Sequence, residues 1–134
     1  MRIIGLDVGE KRIGVAISDP DNIIAQPFDV IVRDGDEFAR IAQIVEENSV
    51  GEIVVGYPKN MDGSAGPMAK KIEEFAGKIS ELVDVPVVFI DERLSTAEAE
   101  RMMINADVSR KKRKKSIDKV AAAIILEGRL MGLK

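Results

Sequence analysis

The apolar positions of this chain follow two periods in succession. Residues 2 to 8 (Arg-Ile-Ile-Gly-Leu-Asp-Val) are apolar on consecutive positions, which predicts a strand buried on both faces, ending at Asp7 and a turn at Gly9. Gly9-Glu10-Lys11-Arg12 reads as a tight turn into a second strand, Ile13 to Ser18. The turn formers Asp19-Pro20-Asp21-Asn22 follow, and a third strand is expected within Ile23 to Arg33. The chain therefore opens as an antiparallel meander.

The pattern then changes to alternating helix and strand. Asp34 and Glu37 form a capping-box-like start for a helix whose inner face is Phe38, Ile41, Ala42 and Val45. Glu52 to Gly56 is a short strand rich in branched side chains, followed by the loop Tyr57 to Gly63. A longer helix begins near Ser64 with Pro67 in its first turn, and Met68, Ile72, Phe75, Ala76, Ile79, Leu82 and Val83 form its apolar stripe. Pro86 to Ile90 is the last strand, ending in Asp91-Glu92; Ser95 and Glu98 cap a helix reaching about Asn105. The basic run Arg110 to Lys115 reads as a loop or mobile arm, and Ser116 as the cap of a final helix with Ile117, Val120, Ala121, Ile124 and Met131 inward. There is no internal repeat or domain boundary, so residues 1 to 134 are expected to form one α/β domain around a five-stranded mixed sheet.

Composition narrows the chemistry. The chain has no cysteine and no histidine, which excludes disulfides, thiolate or imidazole metal sites, thiol nucleophiles and Ser-His-Asp hydrolysis. Carboxylates, Lys, Arg, Tyr and hydroxyls remain, and a metal among such ligands would be a hard cation such as Mg2+ or Mn2+. The apolar stretches are too short to span a membrane and the N-terminus is not of signal-peptide type, so a cytoplasmic location is expected. The net charge of −3 hides an asymmetry: residues 110 to 119 hold seven of the 20 bases and one of the 23 acids, +6, leaving −9 elsewhere. One basic patch on an acidic body points to a localised polyanion contact.

Three places could carry the chemistry. Asp7 ends a buried strand where the chain must turn, and ligand sites of α/β sheets gather at such strand ends. Asp91 and Glu92 stand at the end of the last strand, and Asp118 in the first turn expected for the final helix. Each has an ordinary alternative: a turn former at Asp7, a salt-bridge partner for Arg93 at Glu92, a helix-dipole acid at Asp118. Lys11 and Arg12, just past Asp7, and Lys59 and Asn60 in a connecting loop are candidate phosphate contacts, as are Arg93 and the run Arg110, Lys111, Lys112, Arg113, Lys114 and Lys115. With four Phe and one Tyr, base stacking is not the expected mode of recognition.

Taken together, four motifs resemble those of the YqgF (RuvX) family, assigned to pre-16S rRNA processing and to Holliday junction resolution. They are Gly5-Leu6-Asp7-Val8-Gly9 with Lys11 to Ala16; Val55-Gly56-Tyr57-Pro58 with Asn60 to Ser64; Asp91-Glu92-Arg93-Leu94-Ser95-Thr96; and Asp118 with Ala121-Ala122. Tyr57 departs from the family, where Leu is expected. The resemblance implies a ribonuclease-H-like fold and a metal-dependent endonuclease that cuts phosphodiester bonds, with Asp7, Glu92 (or the adjacent Asp91) and Asp118 as metal ligands. It also implies structured RNA or branched DNA as partner, pre-ribosomal particles among the contexts, and a monomer or weak homodimer. Two rivals are a non-catalytic ribosome-assembly factor, which the basic run would serve equally, and an actin-like ATPase, for which the chain lacks a second domain and a second phosphate loop.

Overall fold

The computed structural model describes residues 1–57, 67–91 and 110–132, and the side chains of all of these except 67, 91, 110–118 and 132. Its elements are β1 (Arg2–Val8), β2 (Arg12–Ser18), β3 (Ala25–Val32), α1 (Glu37–Glu47), β4 (Val50–Tyr57), α2 (Pro67–Leu82), β5 (Val87–Asp91) and α3 (Arg110–Gly132). The five strands form one sheet in the order β3-β2-β1-β4-β5. β1 to β3 pair antiparallel, while β1, β4 and β5 run parallel, as the meander followed by alternating elements predicts.

β1 lies at the centre of the sheet and is covered on both sides. Ile4, Leu6 and Val8 face one core with Ile41 and Val45 of α1 and Ile72, Phe75 and Ile79 of α2. Ile3 faces the other, built from Ala122, Ala123, Ile125, Leu126 and Leu130 of α3 with Ala16 and Val54. Strand alternation sets Gly5 and Asp7 on the same side as Ile3. At the far edge, the β2–β3 register slips between Val15 and Ala16, which pair with Asp29 and Pro27. A proline and a bulge on an edge strand remove a donor and twist the edge, which blunts it against further pairing.

Four expectations are corrected. The basic run is not an arm: residues 110–115 are the opening turns of α3, so Ser116 lies inside the helix rather than at its N-cap position and Asp118 lies more than two turns in. The buried face of α3 is Ala121, Ala122, Ile125, Leu126 and Leu130, with Val120 and Ile124 half-buried and Met131 exposed. Val120 to Leu126 is apolar all round, so periodicity could not set the phase. In α2, Leu82 is exposed at the helix end, while Ile72, Phe75, Ala76 and Ile79 are buried as expected. The start of α1 is not a capping box: Asp36 is the N-cap without a side-chain bond, Asp34 accepts the Asp36 N–H, and Glu37 accepts the Gly35 N–H. The helix expected from Ser95 to Asn105 and the loop residues 58–66 lie outside the described residues.

Candidate active site

Asp7 sits in the penultimate position of β1, half-buried, opposite Gly14 of β2. Its strand is held in register at both ends. At the start, the buried Ser18 hydroxyl accepts the Ile3 N–H at 2.8 Å and donates to Asn22 Oδ1 at 2.7 Å. At the end, the Gly9 N–H donates to the Arg12 carbonyl at 2.8 Å and closes the turn. A Cβ on Gly9 would meet that same carbonyl oxygen at 2.8 Å, so the turn requires glycine. The turn carries Lys11 and Arg12 into solvent, where Gly9 to Arg12 line a shallow groove of about 310 Å³.

Gly5 decides how α3 approaches. A Cβ there would lie 2.8 Å from the Leu126 Cβ and 2.9 Å from the Ala122 carbonyl, so the helix backbone rests directly on β1. The direction of α3 is visible further along, where Arg129 makes two hydrogen bonds of 2.9 Å to the Glu52 carboxylate. Glu52 pairs with Ile3, so α3 runs antiparallel to β1, from the Asp7 end toward the strand's start. From Gly5 to Asp7 the strand advances roughly 7 Å. From Ala122 back to position 118 the helix advances about 6 Å. The backbone at 118 therefore arrives level with Asp7, on the side of the sheet that Asp7 occupies.

The third acidic position lies at the same end of the sheet. Leu6 pairs with Val55 and Val55 with Phe89, while Tyr57 pairs with Asp91. Asp91 thus stands two strands from β1, roughly 10 Å across, and one residue beyond the level of Asp7. Among the described residues no cluster of three or more acids converges; the Asp91 and Asp118 side chains, and Glu92 altogether, fall outside that description. Lys59, Asn60 and Arg93 do so as well, and Arg110 to Lys115 are placed by backbone only.

Tyr57, the departure from the family pattern, is accommodated at the end of β4. Its ring packs on Phe89 with centroids 5.0 Å apart, and its hydroxyl donates to Glu73 at 2.9 Å. That hydrogen bond raises the phenol above its ordinary pKa and keeps it protonated. Beside the turn, a partly open pocket of about 420 Å³ is lined by Val8, Gly9, Arg33, Glu37 and Ile72 among others. Two features here escaped sequence reasoning, the Arg33–Glu37 pair beside that cavity and the docking role of Gly5. An isolated glycine inside Ile-Ile-Gly-Leu was a readable signal of close backbone approach; no local signal marked Arg33.

Known proteins resemble this chain in sequence and in fold. Residues 1–131 match the family model RuvX, described as Holliday junction resolvase. A Desulforamulus reducens protein named "Putative pre-16S rRNA nuclease" is 56% identical over 132 residues, covering 97% of this chain and 96% of that protein. A Halothermothrix orenii protein of the same name is 55% identical, covering 97% and 94%. Among solved structures, Thermus thermophilus RuvC in complex with a Holliday junction substrate matches with a TM-score of 0.62 at 16% identity, covering 99% of this chain and 96% of that one. The fowlpox virus resolvase bound to junction DNA matches at 0.59 and 14% identity, covering 99% of both. These two likenesses concern the fold, which is that of the resolvases.

Proposed function

This chain belongs to the RuvX family, and from that premise we propose that it is an endonuclease hydrolysing nucleic-acid phosphodiester bonds, with Asp7 as its central carboxylate and the 16S rRNA precursor as its substrate. The observation that carries the reading is the placement of Asp7: half-buried at the end of the central strand, on the α3 side, level with the backbone at 118. A carboxylate so placed, in a chain without histidine or cysteine, suits a hard divalent cation held by oxygens. Asp7 and Asp118 are assigned as two of its ligands. Glu92, with the adjacent Asp91 as the alternative, is assigned as the third ligand on the family resemblance of the Asp91 to Thr96 motif.

Bound there, Mg2+ or Mn2+ would supply positive charge beside the scissile phosphate and acidify a water. The chain's own residues do the rest. The exposed Lys11 and Arg12 meet the phosphates flanking the cut, and the opening turns of α3 bring Arg110 to Lys115 to the backbone further along. Contacts of this kind recognise phosphate and shape rather than base sequence. The relatives' name supports 16S rRNA precursor as substrate; pre-ribosomal particles as partner and a cytoplasmic location accord with that reading.

The test is a side-by-side cleavage assay with highly purified protein, Mg2+ or Mn2+, a precursor rRNA end and a four-way DNA junction. Asp7→Asn is expected to abolish cleavage of either while leaving the circular dichroism spectrum and urea midpoint close to wild type. Wild-type turnover by Asp7→Asn removes the assignment. Preferential cutting of the junction moves the substrate to branched DNA, which the family's description favours.

A further inference from the structure

We propose that Arg33 is a positioning residue for the Asp7 site, acting through the main chain of the turn that follows it; this rests on the reading of the site given above. Arg33 lies just past the end of β3, yet it bonds the β1–β2 turn twice. Its main-chain N–H donates to the Lys11 carbonyl at 2.9 Å, and its Nη1 donates to the Gly9 carbonyl at 3.0 Å. The guanidinium is aimed by three groups from two helices and the loop before them. Its Nε donates to Glu37 Oε2 at 3.1 Å, Glu37 Oε1 accepts the Gly35 N–H at 2.8 Å, and the guanidinium carbon lies 5.5 Å from the centre of the Phe75 ring.

The cavity explains why such a clamp matters. About 420 Å³ of partly open space adjoins Gly9 and Glu10, bounded by Arg33, Met68, Lys71 and Ile72, so among the described residues close packing is incomplete on that side of the turn. The Lys71–Glu10 ion pair that crosses this space is long, 4.0 Å, and exposed, which leaves the hydrogen bonds as the firmer hold on the turn, and Arg33 makes one of them with a side chain that is itself fixed. Glu37 is only 6% exposed while the Arg33 side chain is half-buried, so the carboxylate end of the pair is sheltered from competing water. Asp7 is two residues before Gly9, near the end of the strand that leads into the turn; Lys11 lies in the turn and Arg12 opens β2. Loosening Gly9 therefore displaces a metal-ligand position and two phosphate-contact positions together, through main-chain bonds to Gly9 and Lys11. Groups outside the ligand shell commonly govern metal affinity in this manner.

The experiment compares wild type, Arg33→Met, Arg33→Lys and Arg129→Met as 15N-labelled proteins. Arg129→Met breaks a half-buried ion pair of similar kind at the other end of the sheet and serves as the stability control. Two quantities are read: exchange of the Gly9 amide in metal-free protein, and the affinity for Mn2+ alone by titration calorimetry. Arg33→Met is expected to exchange the Gly9 amide about tenfold faster, the equivalent of one hydrogen bond, and to bind Mn2+ about tenfold more weakly. Arg33→Lys retains the charge without the fork and should fall between. Arg129→Met is expected to lower the urea midpoint and change neither quantity. Unchanged Gly9 exchange in Arg33→Met, faster exchange with unchanged Mn2+ affinity, or an equal effect of Arg129→Met each overturns the positioning role. Absence of Mn2+ binding by wild type instead overturns the underlying reading of the site.

Discussion

At the scale of single residues, the site depends on side chains that are missing as much as on those present. Gly5 leaves room for the Ala122 carbonyl and Leu126, so Gly5→Ala forces α3 off the sheet. The variant is expected to lose about 1 to 3 kcal/mol, read from urea unfolding; a loss within error would show that α3 shifts freely. Glu37 is a second such point. Burial raises its pKa, but hydrogen bonds from its own N–H, from Arg33 and from Gly35 outweigh burial and leave it below the ordinary 4.5. A carboxyl depressed in the folded state stabilises the fold fully above its unfolded pKa. That contribution disappears as pH falls through the lower folded value. The urea midpoint of wild type should therefore exceed that of Glu37→Gln near neutrality, and the gap should narrow below about pH 4.5. A constant gap would assign the effect to shape rather than charge.

At the scale of elements, α3 combines two halves with opposite demands. Its second half is a small-residue face, Ala121 and Ala122 followed by Ile125 and Leu126, that settles on Gly5 and Ala16. Its first turns carry Arg110 to Lys115, where the helix dipole disfavours positive charge and bases four apart repel each other. A bound polyanion reverses both effects, which gives the run a physical reason to be helical in a complex. Replacing Lys111 and Lys114 by Gln is expected to weaken binding to RNA or DNA and flatten the log–log salt dependence. The slope should fall by roughly 0.7 to 0.9 for each phosphate contact removed, measured by fluorescence anisotropy across a salt series. An unchanged slope would remove these side chains from the interface.

At the scale of the whole molecule, three elements distant in sequence bring acidic positions to one end of the sheet. A cation held there binds the folded chain and not the unfolded one, so it must stabilise the fold. Mn2+ at a hundred times its Kd is expected to add about 2.7 kcal/mol, visible as a rise of several degrees in Tm. Asp7→Asn should show no rise. An equal rise in both proteins would place the cation elsewhere. Among the described residues no helix is long and apolar enough to cross a membrane, and this too is a property of the assembled elements.

The five-stranded mixed sheet, its opening meander and the strand ends near Asp7 and Asp91 were legible from the sequence, because alternation and turn formers act over a few residues. So was the absence of imidazole and thiolate chemistry, which requires only a count. The phase of α3, the helical state of the basic run, the depth of Asp118 in that helix and the Arg33 clamp were not. Val120 to Leu126 is apolar on every side, and six bases in a row favour no structure by themselves. Arg33 meets Gly9 only because β3 returns beside β2. These features arise from contacts between segments 20 to 120 residues apart, and local pattern carries no information about which face of a helix such a contact will choose. The chain's own order set the strands and turns; how closely a helix could rest on Gly5 was decided only by the packed fold.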